Sequence, residues 1–382
     1  MARAPADLPE DPIPEPDRVE GAPHPRETLR LIGQAPADAA FLDTFRQGRM
    51  PHGWLLTGPR GVGKATLAWR IARFLLATPE EDGGMFAPPP PLTLDIPPDH
   101  PVSRRMLALS EPRLFLLRRP WDDKATPPRH RQEITVDEVR RMKSFFNFSA
   151  ADGGRRVAII DTADDLNTSA ANALLKLLEE PPQGVTLLLV SHQPSRLLPT
   201  IRSRCRALRL GTLSAADMAQ ALMAAGAEAD SAGPMAELSG GSVGEAIRIA
   251  NLDGLKLYAR ILAVFASLPR LDRPLALALA EAGAGRGAEA SFDLILRLMD
   301  LFLARLARAG VTGTPPPEAA PGEAALITRL APDATAACVW ADLAQNLSAR
   351  ARRGRAVNLD PASLLMDMVL KIDETAGTLA PR

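Results

Sequence analysis

RRVAIIDTADDLNTSAANALLKLLEEPPQGVTLLLVSHQPSRLLPTIRSRC, the stretch from Arg155 to Cys205, decides how this chain folds. An apolar run, Val157 to Ile160, ends on Asp161. A helix-like segment follows and is stopped by Pro181-Pro182, and a second apolar run, Val185 to Val190, leads on to Ser203-Arg204-Cys205. Runs that stay apolar instead of alternating belong to strands covered on both faces, and two of them around a helix make a buried parallel βαβ unit. A carboxylate at the end of such a strand stands at the rim where open α/β sheets receive ligands. Asp161 is therefore either a site residue or a strand-terminal cap.

Upstream, Trp54-Leu55-Leu56-Thr57 reads as a short buried strand, followed by GPRGVGKAT from Gly58 to Thr66 and an amphipathic helix through Leu76. A strand, a glycine-rich loop and a helix N-terminus aim successive backbone N–H groups at one point, where a lysine neutralises phosphate charge. Gly58, Gly61, Gly63 and Lys64 fit that pattern. Ala65 does not, because the pattern needs a hydroxyl directly after the lysine to ligate Mg²⁺, and Thr66 lies about 100° further around the helix. Two readings stay open: a phosphate cradle without its metal ligand, or a loop that keeps its shape without a ligand.

Asp161, the AANALLKLLEEPP segment at Ala170 to Pro182 and the TIRSRC segment at Thr200 to Cys205 together resemble the clamp-loader branch of the AAA+ ATPases. Within that branch the resemblance is to the delta-prime and gamma/tau subunits of bacterial DNA polymerase III, over Thr28 to Leu252 and more loosely beyond. It implies an α/β RecA-like AAA+ core, a small α-helical lid and an α-helical C-terminal collar domain. It also implies roles for particular residues. Leu31 to Gln34 matches the short box near the adenine, Asp161 reaches Mg²⁺ or its water shell, and Ser191 stands where a polar γ-phosphate sensor lies. Arg204 matches the arginine finger presented in trans to ATP bound by a neighbouring subunit. Ser203 and Cys205 set the turn and pack.

Departures from the pattern bear on hydrolysis. Active relatives carry a glutamate after the strand-end aspartate to polarise the attacking water; this chain has Thr162, and a hydroxyl is no general base at neutral pH. In the segment Ser239 to Ala246, Gly244 takes the place of the lid arginine, and Arg248 comes a turn later. The implied role is an ATPase-silent delta-prime subunit that holds ATP without hydrolysing it. It completes a hetero-oligomeric ring with gamma/tau and delta, and acts with the sliding clamp and primed DNA. The alternative is an active gamma/tau-type motor using Lys64, Asp161 and Arg204. A P-loop phosphotransferase has no use for the SRC segment, and no polymerase-type carboxylate set is visible.

Length and composition bound the rest. A chain of 382 residues holds two or three domains. Lysine plus arginine equals aspartate plus glutamate at 45 each, so no overall field draws the chain onto nucleic acid. The two cysteines, Cys205 and Cys338, form no disulfide framework, and no cysteine lies between Lys64 and Asp161 where relatives hold a four-cysteine zinc module. No zinc is expected, and a reducing, cytoplasmic setting without membrane insertion is. The 36 prolines mark a disordered tail at 1–25, an insertion at 78–132 and a linker at 310–322. The expected domains are the core at 26–211, a lid at 212–253 and a collar at 254–382. Within the insertion Leu114 to Leu117 forms a strand, and Thr135 with Glu138 forms a capping box. Arg140, Arg141 and Lys143, like Arg350, Arg352, Arg353 and Arg355, read as solvated helix faces.

Overall fold

Strands that stay apolar for four to seven residues must be covered on both faces, and the computed structural model covers them. It describes residues 14–78, 90–126, 128–148, 154–226, 231–285, 287–357 and 359–380. The chain forms two units, Met1–Asp217 and Met218–Arg382. In the first, the strands are β1 (Gly53–Thr57), β2 (Leu114–Arg118), β3 (Trp121–Asp122), β4 (Arg129–His130), β5 (Arg156–Asp161), β6 (Val185–Ser191) and β7 (Arg206–Arg209). Five of them make one sheet in the order β2-β5-β6-β1-β7, and every neighbouring pair is parallel. β3 and β4 form a small antiparallel hairpin. The helices of this unit are α1 (Ala35–Arg46), α2 (Lys64–Ala77), α3 (Pro101–Leu107), α4 (Val136–Phe148), α5 (Thr168–Glu179) and α6 (Pro199–Arg204).

The covering layers follow from side-chain pattern. On one face, Val139, Met142 and Phe146 of α4 and Ala170, Leu174 and Leu177 of α5 pack with Ala158, Ile160, Leu187 and Leu189 of the sheet. α5 starts where Asn167 Oδ1 accepts the Ala170 N–H at 2.9 Å. It ends at Glu180, just before the two prolines, as their missing donors require. At the start of α4 the Thr135 N–H donates to the Glu138 carboxylate at 3.1 Å, the reciprocal half of a capping box. α2 is buried along nearly its whole length, and Phe74 stacks on Phe41 and Phe45 of α1.

The insertion at 78–132 is more structured than its prolines suggest. It contributes α3, the sheet strand β2 expected at Leu114 to Leu117, and the hairpin; its residues 79–89 and 127 lie outside the described residues. The tail expected at 1–25 also needs correction. Residues 1–13 lie outside the described ones, but from Pro14 the chain carries a set of ion pairs around His24, which is fully buried against Trp69. Salt bridges and backbone contacts hold what apolar burial alone would not.

The second unit is helical: α7 (Ala215–Ala224) begins at its boundary, followed by α8 (Ala232–Ser239), α9 (Val243–Asn251), α10 (Gly254–Ala266) and α11 (Arg273–Ala282). α12 (Glu289–Thr312), α13 (Glu323–Leu330), α14 (Ala334–Ala356) and α15 (Pro361–Leu379) complete it. Gly310, expected in a linker, lies inside α12, where a Cβ would sit 2.8 Å from the Cβ of Ala337. The glycine lets α12 approach α14 closely.

One polar network ties this unit together. Arg305 of α12 donates to Glu323 of α13 at 2.7 and 3.2 Å, to Glu237 of α8 at 3.0 Å and to the Pro317 carbonyl at 2.5 Å. Tyr258 of α10 donates to Glu323 at 2.6 Å, and so does the Ala319 N–H at 2.7 Å. Burial and the Glu323 carboxylate push the Tyr258 phenol far above its usual range. Glu323 and Arg305 are buried at 1% and 2% exposure, so removing either leaves an uncompensated charge in the core. Glu323→Ala is expected to lower unfolding stability by about 3–5 kcal/mol. Lys256→Ala, which removes only the exposed pair with Asp253, should cost under about 1 kcal/mol. Urea unfolding of the full chain measures both, and equal losses would contradict the assignment.

Candidate functional site

The parallel strands bring the ends of β1, β5 and β6 to one rim. β1 ends at Thr57 and turns through Gly58 to Gly63 into α2. Two glycines here are required by contact. A Cβ at Gly58 (φ +146°) would lie 2.3 Å from the Leu210 carbonyl oxygen, and one at Gly63 (φ +100°) would lie 2.7 Å from Leu31. Gly61 also has positive φ, at +78°. Gln34 braces the loop from outside: its amide donates to Val62 O at 3.2 Å and Gly211 O at 2.8 Å, and accepts from Gly211 N at 3.2 Å. The Leu31-Ile32-Gly33-Gln34 box therefore packs on the loop and on the segment after β7.

Lys64 opens α2 and is only 3% exposed. Its ammonium donates back to the loop carbonyls of Gly58 at 2.8 Å and Pro59 at 2.5 Å. Burial lowers its pKa to about 8, partly countered by the charges of Asp161 and Asp164. An anion in the loop would restore the charged form and draw the ammonium from those carbonyls. Thr66 sits one residue beyond Ala65 on the same helix, half-buried.

Asp161 closes β5, and burial followed by the nearby Asp17 charge pushes it up to about 7. Asp164 accepts the Ser191 hydroxyl at 2.7 Å and the backbone N–H groups of His192 at 2.5 Å and Gln193 at 3.3 Å. It locks the end of β5 to the end of β6, and the fully buried Ser191 spends its proton on that lock. Asp165 pairs with Arg119 at 3.3 Å. Neither carboxylate is free to take a proton from a water beside Asp161. A short acid-rich turn after the strand was the signal, but only the register with β6 reveals the bond.

Arg204 stands apart from this group. At the C-terminal end of α6 it donates to Thr200 O at 3.1 Å and pairs with Glu179 at 2.8 Å, with 37% of its side chain exposed. Exposed pairs of this kind hold a side chain by under about 1 kcal/mol, so the guanidinium can turn outward. Gly244 and Arg248 lie on α9 in the other unit, where Arg248 faces Glu245 at 3.5 Å. Among the described residues no cluster of three histidine, cysteine or acidic side chains could hold a metal ion, and no helix is long and apolar enough to cross a membrane.

A family model described as "DNA polymerase III, delta subunit" matches residues 98–214, which contain β5, the Asp164 lock, Ser191 and Arg204. Over these residues the chain is similar to that family and to curated delta' and gamma subunits. The DNA polymerase III subunit delta' of Pseudomonas aeruginosa is 39% identical over 40% of this chain and 41% of its own length. That of Yersinia pestis is 33% identical over 41% of each chain. The DNA polymerase III subunit gamma of Buchnera aphidicola is 29% identical over 51% of this chain and 47% of its own. The chain thus spans under half the length of these curated relatives.

Cys205 completes the SRC segment. Its sulfur packs where a Cβ on Gly53 would come within 3.1 Å, and burial pushes its thiol up to about 12. The thiolate is the reactive form, so at pH 8 the native chain should titrate one fast thiol, the exposed Cys338. Denaturation should release the second. Two fast thiols in the native state would contradict a packing role for Cys205.

Proposed function

We propose that this chain is a delta-prime subunit of the bacterial DNA polymerase III clamp loader that does not hydrolyse ATP itself. It completes a ring with gamma/tau and delta and presents Arg204 to ATP held by the adjacent subunit, during loading of the sliding clamp at primed DNA. The observation that carries this reading is the contrast between two carboxylates and one arginine. Asp164 and Asp165, the acids that follow Asp161 in the chain, are both engaged, whereas Arg204 is surface-exposed and held by one exposed ion pair and a hydrogen bond to the Thr200 carbonyl.

In this reading Gly58, Gly61, Gly63, Lys64 and Thr66 form a phosphate cradle, with Asp161 and Ser191 facing it. Support for an anion comes from the α2 N-terminus, where unpaired backbone N–H groups favour negative charge, and from Lys64, whose ammonium donates to loop carbonyls near Asp161 and Asp164. Bound ATP would supply negative charge for Lys64 and no chemistry in this chain, because Ala65 offers no hydroxyl for a metal and Thr162 no base. Residues 212–253 serve as the lid and 254–382 as the collar that packs on sister subunits in the cytoplasm. A second reading, an active gamma/tau-type motor, draws support from the match to subunit gamma and from the retained Lys64.

ATP turnover in a complex reconstituted with gamma, delta, clamp and primed DNA separates the two. Arg204→Ala should slow the adjacent site by roughly 10³-fold or more, the range found for fingers supplied in trans. Lys64→Ala in this chain should leave turnover unchanged. The reverse pattern would favour the motor.

A further inference from the structure

The segment 14–30 crosses to the rim that carries Asp161, and it is anchored along its length. His130 Nε2 lies 2.7 Å from Pro14 O, Arg73 donates to Arg26 O at 2.7 Å, and Arg70 donates to Leu29 O at 2.6 Å. Both arginines are on α2, the helix that the phosphate loop opens, and both are nearly buried. A buried charged side chain needs fixed partners: Arg73 has this segment's backbone, and Arg70 has it together with the carboxylates of Asp38 at 2.9 Å and Asp95 at 2.8 Å.

Two of the segment's four acids, Glu15 and Asp17, meet Arg118. Asp17 accepts from Arg118 at 3.0 Å and lies 3.1 Å from His24 Nε2. Glu15 accepts from Arg26 at 2.5 Å and from Arg118 at 3.4 Å. Although burial alone would raise Asp17, His24 and then Arg118 hold it below its ordinary range, so it stays ionised. Arg118 is the last residue of β2, and its register partner on β5 is Asp161. The guanidinium at the rim next to the strand-end aspartate thus already meets two carboxylates through its Nη1.

We propose that residues 14–27 are an internal acidic strap that occupies Arg118 and thereby weakens the rim for anionic ligands such as nucleoside di- and triphosphates. The strap supplies Glu15 and Asp17 as competitors for the cation a phosphate would otherwise meet, and it adds the Asp17 charge beside Asp161. Displacing it, by a partner or by a high concentration of nucleotide, frees Arg118 for phosphate. The inference rests on reading Gly58 to Lys64 as a phosphate loop but is independent of Arg204.

The test is the affinity of the full-length chain for a fluorescent ADP analogue and for ATP, each with Mg²⁺, in wild type, Glu15→Gln/Asp17→Asn and the same double variant with Arg118→Ala. Thermal melting checks that each is folded, and Asp17→Asn alone serves if the double variant is not. Freeing one arginine for a charge-assisted phosphate contact should tighten binding by about tenfold, and Arg118→Ala should abolish that gain. Unchanged or weaker binding by the folded variant overturns the strap, as does a gain that survives Arg118→Ala. If wild type binds and Lys64→Ala abolishes binding while the strap substitutions do nothing, the strap fails and the loop reading stands. If no variant binds at millimolar nucleotide, both fail, and the Arg204 experiment is untouched.

Discussion

A parallel sheet buried on both faces brings the carboxyl ends of its strands to a single rim, and the placing of the glycine-rich loop, Asp161 and Ser191 follows from that constraint. The order β2-β5-β6-β1-β7 places β6 between the loop-bearing β1 and the aspartate-bearing β5. Ser191 on the middle strand is then positioned to be tied to the turn after β5, which Asp164 does with three hydrogen bonds. Burying a carboxylate costs several kcal/mol unless its lone pairs are filled, so this lock holds the rim in one arrangement.

The same rim is electrostatically under-satisfied in its other members. Lys64 is lowered to about 8 and Asp161 raised to about 7, both chiefly by burial. Charges that are both disfavoured by their surroundings mark a place where an added ion would relieve the cost. Yet the groups that would turn binding into hydrolysis are missing or engaged. The proposed role, acting on a neighbour's nucleotide, asks for no hydrolysis at this rim.

Much of this was legible in the chain itself. The apolar runs at Val157 to Ile160 and Val185 to Val190 became β5 and β6, Leu114 to Leu117 became β2, and GPRGVGK became the loop opening α2. What sequence could not disclose were pairings over long separations. Asp164 and Asp165 stand in a short acid-rich turn, and their bonds to Ser191 on β6 and to Arg119 join residues 27 or more apart in the chain. Residues 14–25 read as part of a tail because proline and acid suggest little burial; Arg118, which binds Asp17, lies 101 residues away on β2. Gly310 read as linker because the methyl groups of Ala331 and Ala337 that demand a glycine come from beyond the helix.

The central claim is that this chain keeps the nucleotide-binding fold without its hydrolytic chemistry. Steady-state ATP hydrolysis by the isolated chain, compared with Lys64→Ala prepared in parallel, addresses it most directly. A rate indistinguishable between the two is the predicted result. Turnover by the wild type that Lys64→Ala abolishes would contradict it, and would mean that Ala65, Thr162 and the engaged Asp164 do not disable the site.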